Sequence, residues 1–348
     1  MRHRVPPFIV ASLLLVITAA ALQTSPPATP LATASDAAYE LAAARKDFAA
    51  GHSKEALKQL DALASRTPES PGVERLRAFI FYQQRNMVAA EAAYAKAVEQ
   101  DPSDHESMQM RGVVLYSLGR PADAIPLLEK AHTAVPSASV DPNYVLGVCY
   151  IAVHRYDDAR HAFAAQYSFA PDSAPAYLLA ARMLLRQENP AAAEEFAKKA
   201  IVLQPQLPLA HQLLGEVALA RAQLPEAIAE LDRERELNPL NGAVYDRLGD
   251  AYVRSGDNEK AQQALSRAVL LEPNATGPYI LLGRVMLNQQ NYLLATLYLE
   301  RATSMDPGNY IAHTLLGRAY HATGRTEDAA KQFQTAQQLQ SAASPAKP

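Results

Sequence analysis

Apolar residues along this chain recur in pairs of helix-length stretches, and the pairs themselves recur at a fixed interval. Proline marks the interval: Pro68, Pro102, Pro136, Pro171, Pro205, Pro239, Pro273 and Pro307 follow one another at steps of 34 residues, with a single step of 35. A fixed period of this length is the signature of a solenoid assembled from repeated supersecondary units. With the proline numbered 32, the repeats begin at Ala37, Pro71, His105, Val140, Ala174, Pro208, Gly242, Thr276 and Tyr310. Positions 4, 7, 8 and 11 share a face at helical spacing, and positions 20, 24 and 27 do the same on a second stretch. Short breaks such as Ser255-Gly256-Asp257 and Thr323-Gly324-Arg325 separate the two stretches. Each repeat is therefore predicted to be two antiparallel helices.

Position 8 is Gly or Ala in every repeat, from Ala44 to Gly317, and position 20 is alanine in every repeat, from Ala56 to Ala329. These minimal side chains allow the two backbones of a repeat to approach closely. Larger residues at position 24, such as Leu128, Phe163, Leu265 and Phe333, fill the space beside them. The proline ends the second helix, because it disfavours helical conformation in the residue before it.

The string Tyr245…Leu248-Gly249…Tyr252…Gly256…Ala261…Leu265…Ala268…Pro273 resembles a tetratricopeptide repeat, and the resemblance runs from Ala37 to about Gln340. It implies an all-α, right-handed superhelical solenoid of about nine helix-turn-helix repeats that serves as a binding scaffold. Several positions depart from the family pattern. Position 4 is never Trp; it is Tyr177, Tyr245 and Tyr279 in three repeats and His211 and His313 in two. Position 7 is Arg77 and Arg111 in repeats two and three, whose stems are expected to lie on the packing face with the charge lifted into water. Gln166 and Glu234 stand at position 27 in place of alanine, and repeat one carries Glu40 and Asp47 at positions 4 and 11.

The ends read differently. Arg2, His3 and Arg4 precede an uncharged, mostly apolar run from Phe8 to Leu22, too short for a comfortable transmembrane helix. Ala19-Ala20-Ala21 matches a cleavage pattern, so residues 1–21 are expected to be a signal peptide. The alternative is an uncleaved anchor that tethers the protein to a membrane. Residues 22–36 form a Pro-, Thr- and Ala-rich linker, 37–340 the solenoid and 341–348 a disordered tail. The expected location is exported, periplasmic or secreted, with no stable membrane span after cleavage. The single cysteine, Cys149, rules out an intramolecular disulfide.

The formal net charge of −3 disfavours a nucleic-acid partner, whose affinity rests on clustered Lys and Arg. No zinc helix, phosphate loop or nucleophile turn occurs, so no enzyme activity, cofactor or metal is expected. Cys149, between apolar neighbours, reads as packing rather than as a nucleophile.

The informative surface is the concave one, which the resemblance assigns to first-helix positions 2, 5, 9, 12 and 13. Repeats two to four place Phe79, Tyr82, Tyr116 and Tyr144 there, expected to form one continuous aromatic strip. Later repeats place Arg182, Arg284 and Arg318 at position 9, suited to an acidic stretch or chain terminus. The Lys-and-Asn pair with which the family clamps chaperone tails is absent. The leading expectation is a scaffold holding a protein or peptide ligand in the concave groove, within a cell-envelope assembly. The alternative is a glycan-binding or enzyme-associated periplasmic protein.

Overall fold

The computed structural model describes residues 36–66, 69, 71–132 and 142–343. The expected signal peptide and most of the linker and tail lie outside the described residues, as do Pro68 and Pro136. Among the described residues all regular structure is α-helical, in 18 helices that pair as nine antiparallel hairpins. The first four pairs are α1 (Asp36–Ala49) with α2 (Ser53–Ala64), α3 (Val73–Gln83) with α4 (Met87–Gln100), α5 (His105–Ser117) with α6 (Pro121–His132), and α7 (Pro142–Ala152) with α8 (Tyr156–Gln166). The remaining pairs are α9 (Ala174–Arg186) with α10 (Pro190–Leu203), α11 (Ala210–Ala220) with α12 (Leu224–Leu237), α13 (Gly242–Ser255) with α14 (Asn258–Leu271), α15 (Thr276–Asn288) with α16 (Tyr292–Met305), and α17 (Tyr310–Ala322) with α18 (Thr326–Ala343). This is an all-α helical-repeat solenoid.

Where the sequence reads as one array, the helices cluster into two compact units, residues 1–171 and 172–348. The division follows repeat four, whose second helix is shorter than those that come after it. α8 stops at Gln166, after 11 residues, whereas α10, α12, α14 and α16 each run for 14. Gln166 replaces the small residue of position 27, and Ser168 then turns into the left-handed region at φ 57°.

The contact between positions 8 and 24 sets the spacing within each hairpin. A Cβ on Gly249 would lie 2.3 Å from a Leu265 methyl, and one on Gly283 would lie 2.4 Å from Leu299 Cγ. Gly112, Gly147, Gly215 and Gly317 meet Leu128, Phe163, Leu231 and Phe333 in the same way. Position 15 controls the turn. It has a positive φ in all nine repeats, yet only Gly51, Gly119, Gly256 and Gly324 are glycine. Arg85, His154, Glu188, Ala222 and Gln290 hold φ between 58° and 62°, where a Cβ costs about 1–2 kcal/mol. Their turns are held by the flanking helices rather than by their own preference.

The departures at positions 4, 7, 11 and 27 each have a structural reason. Tyr245 donates its hydroxyl to Pro239 O at 3.0 Å, Tyr279 to Pro273 O at 3.3 Å, and His313 Nε2 lies 3.0 Å from Pro307 O. Position 4 thus fastens each of these repeats to the proline turn of the one before, which a side chain with a polar tip achieves. Arg77 and Arg111 do not lift their charge into water. Arg77 pairs with Asp61 and Glu74, each at 2.8 Å, and Arg111 pairs with Glu91 at 2.9 Å. Asp61 and Glu91 come from the second helices α2 and α4, so these pairs tie one repeat to the next. Glu40 pairs with Arg66, and Asp47 accepts from Gln59, so repeat one keeps its hairpin with polar links.

Glu234 is fully buried and accepts from Leu209 N at 2.9 Å and from Gln212 N at 3.3 Å. Its carboxylate satisfies otherwise unpaired amides at the start of α11, where negative charge also complements the helix dipole.

Candidate functional site

Each first helix turns its Gly or Ala at position 8 toward its own second helix. Roughly opposite lies an accessible stripe at helical spacing: Gly277, Ile280, Arg284 and Asn288 on α15, and Ile311, Thr314, Arg318 and His321 on α17. In the second unit, successive first helices from α9 to α17 touch one another in a row, whereas no two second helices do so to the same extent. The first helices therefore form the tighter, inner wall of that unit. Within the first unit α1 touches α3 and α5 touches α7 in the same manner.

Of the aromatic residues expected on the inner face of the first unit, Tyr82 is buried and Phe79, Tyr116 and Tyr144 are half-buried. Tyr82 is only 9 % exposed and shares a core with Ala78, Tyr94 and Val114, and burial pushes its phenol above the ordinary value. Phe79 stands edge-on to Phe48 at 5.7 Å, and Tyr144 leans on Phe163 at 6.2 Å. Tyr116 is half-buried. Phe79, Tyr82 and Tyr144 thus each occupy the expected register and pack against a residue of a neighbouring helix. Of the inner charges of the same unit, Arg75 lies 3.5 Å from Asp104 and 3.3 Å from Glu106.

The inner wall of the second unit carries charged and polar side chains beside Ile280 and Ile311. At its centre Glu216 accepts from Gln212 Nε2 at 2.9 Å and lies 3.6 Å from Arg247 Nε. Asn241 Nδ2 donates to Gln212 Oε1 at 3.0 Å. Asp246 lies 3.4 Å from Arg247, while its Oδ1 is buried without a hydrogen-bond partner and burial raises its carboxyl above the usual range. Asp250 pairs with Arg254 at 3.7 Å. The three arginines singled out by the sequence differ from all of these. Among the described residues, Arg182, Arg284 and Arg318 have no carboxylate within ion-pairing distance; Arg182 and Arg284 are half-buried and Arg318 is exposed.

One recurrent cluster escapes single-repeat reasoning. Tyr150 donates to Glu129 at 2.5 Å beneath the Arg155 guanidinium, 4.4 Å from the ring centre. Tyr320 repeats the arrangement, donating to Glu300 at 2.7 Å with Arg325 3.9 Å from its ring centre. The glutamate comes from the preceding repeat, so the cluster clamps two repeats together. Its sequence signal is Tyr at 11 and Arg at 16 combined with Glu at 25 of the repeat before, a pattern visible only across a repeat boundary.

Cys149 is buried, and burial pushes its thiol up to about 12, which leaves it protonated and unreactive at neutral pH. No group of three or more metal-ligating side chains occurs among the described residues, and no described helix is long and apolar enough to cross a membrane.

Comparison with known proteins gives a consistent result. A family model described as "Psidin, N-terminal TPR repeats region" matches residues 47–222, just over half of the chain. Models of the tetratricopeptide repeat match residues 243–275 and 280–348. Anaphase-promoting complex subunit 3 of Schizosaccharomyces pombe is 22% identical over 288 residues, covering 82% of this chain and 43% of that protein. A TPR repeat-containing protein of Treponema pallidum is 28% identical over 221 residues, covering 63% of this chain and 25% of that protein. The chain thus spans less than half the length of either relative. Similar solved structures include MamA (24% identity, 46% of this chain, 94% of that chain, TM-score 0.43). They also include YrrB, described as a TPR protein with an unusual peptide-binding site (23% identity, 53% of this chain, 93% of that chain, TM-score 0.44).

Proposed function

The chain belongs to the tetratricopeptide-repeat family, and from that premise we propose that it is an exported protein-interaction scaffold, holding a peptide segment of its partner on the first-helix wall of the second unit. The observation that supports this is the set of inner arginines without intramolecular partners, on a wall where Glu216, Asp246 and Asp250 each lie beside an arginine. A guanidinium left unmatched on a recessed surface is a ready hydrogen-bonding fork for a ligand carboxylate. The role is binding rather than catalysis. A glycan platform has less support, because the aromatic rings that would stack on sugars are engaged in packing.

Export is part of the same reading and rests on Arg2, Arg4, the apolar run from Phe8 to Leu22 and the Ala19-Ala20-Ala21 ending. It places the scaffold in a cell-envelope compartment. N-terminal sequencing of the exported protein is expected to begin at Leu22, and an intact Met1 in that pool would favour a tethered protein instead.

Site-directed photocrosslinking in the native cell tests the binding reading. A photoreactive residue at inner Thr314 is expected to capture a partner protein, and one at outer Leu293, 78 % exposed, is not. Capture from the outer position alone would move the ligand surface to the second helices.

A further inference from the structure

The charges of the second unit point to a specific kind of ligand, and the argument rests on the binding reading above. Position 9 runs along the wall as Arg182, Glu216, Asp250, Arg284 and Arg318. The two acids in the middle are accounted for: Glu216 by Gln212 and Arg247, and Asp250 by Arg254. No acid remains for Arg284 and Arg318. Those two occupy the same register on α15 and α17, first helices in direct contact. Ile280 lies one turn before Arg284, and Ile311, 39 % exposed, lies two turns before Arg318 on the same stripe. Thr314 and the exposed His321 flank Arg318 on that stripe.

We infer that α15 and α17 form a docking surface for an acidic peptide segment, with Arg284 and Arg318 each taking one carboxylate and Ile280 and Ile311 covering an apolar residue of the same segment. Contacting helices lie about 8–10 Å apart, so equivalent side chains on them are separated by about that distance. An extended chain advances about 3.3 Å per residue, so acids two to four residues apart span the pair. The surface also has a direction. Asp246 and Asp250 on α13 already lie beside Arg247 and Arg254, so α13 offers no free cation to a continued acidic run.

A displayed library of random dodecapeptides, selected on the full-length chain, provides the test. Selected peptides are expected to be rich in paired Asp and Glu with an adjacent apolar residue. The affinity of a fluorescein-labelled peptide made from that consensus is expected to fall at least tenfold between 50 and 300 mM salt. It is also expected to fall at least tenfold in a variant carrying Arg284→Ala and Arg318→Ala. A second variant, Arg284→Glu with Arg318→Glu, is expected to select basic peptides from the same library. Neither arginine has an ion-pairing partner to lose, and unchanged helicity by circular dichroism establishes that each variant is folded. Peptides recovered without acidic bias, or binding unaffected by the arginine changes, would overturn the acidic-ligand inference while leaving the scaffold reading in place. A library from which the chain enriches no peptide at all would overturn both.

Discussion

The two units present the same first-helix register and put it to opposite uses. In the first, the inner positions hold rings that are absorbed into the core, such as Tyr82, or lean on a neighbouring ring, such as Phe79 and Tyr144. Arg75 is paired there with Asp104 and Glu106, Arg77 with Asp61 and Glu74, and Arg111 with Glu91, whereas the exposed Arg45 at position 9 of repeat one has no carboxylate within ion-pairing distance. In the second, the corresponding stripe mixes charged residues with Ile280 and Ile311, and Arg182, Arg284 and Arg318 are left without acids. An aromatic residue on an inner stripe is therefore weak evidence of a binding anchor, because it can be consumed by the space between adjacent helices. An unmatched charge is stronger evidence, because packing gives no reason for it.

Truncating one residue on each wall separates the two units most directly. Tyr82→Ala is expected to destabilise the protein by about 3 kcal/mol or more, the cost of an aromatic deleted from a core. Arg318→Ala is expected to stay within about 0.5 kcal/mol of the parent, as an exposed substitution without a partner. Urea unfolding of both variants measures the contrast, and equal losses would remove the distinction between the walls.

Leucine at Gly249 is expected to cost about 1–3 kcal/mol, because its Cβ alone would stand 2.3 Å from Leu265. The same substitution at Gly147 would meet the Phe163 ring at 2.4 Å, so a similar loss in the first unit is expected. A much smaller loss in one unit would show that its hairpins can open to accommodate the side chain.

The turn at position 15 supplies a change of opposite sign. Ala222→Gly relieves a left-handed alanine at φ 58° and is expected to stabilise by about 1 kcal/mol. Gly119→Ala, the reverse change in the first unit, is expected to lose about as much, although open space surrounds that position. Thermal unfolding reads both, and a neutral result at Ala222 would mean that the unfolded chain gains as much freedom from the glycine as the native turn gains in relief.

The inter-repeat clamp gives the smallest effect and a dependence on pH. Tyr320→Phe removes the hydrogen bond to Glu300 and is expected to cost about 1 kcal/mol at pH 7. Burial, reinforced by the Glu300 carboxylate, pushes the Tyr320 phenol from 10.0 up to about 12. The folded protein thus holds that proton more tightly than the unfolded chain. The clamp's contribution is full below pH 10 and declines as the pH rises from 10 toward 12. The difference in stability between the parent and Tyr320→Phe should shrink over that interval. A constant difference would show that the phenol titrates normally. Tyr150→Phe is expected to behave alike, because burial and Glu129 raise that phenol as well.

Much of this architecture is written in local chemistry. The proline step, the small residues at positions 8 and 20 and the breaks between stretches establish nine hairpins, because helix period and helix termination depend on residues close together in the chain. Helix starts are equally local: Asn86, Asp104, Asp257, Asn291 and Asn309 each accept from an amide three residues on. The register of the inner stripe could be read as well, including Arg182, Arg284 and Arg318.

What each stripe residue does was decided by tertiary structure. Whether Tyr82 faces solvent depends on what α5 places beside it, and whether Arg111 is free depends on Glu91, 20 residues earlier in another repeat. Glu234 looks like a defect at position 27 until Leu209 turns its amide toward it. The clamp around Tyr320 draws its glutamate from the preceding repeat. Periodicity is carried by nearest neighbours along the chain, but burial and charge pairing are set by neighbours in space, and in a solenoid most of those belong to the next repeat.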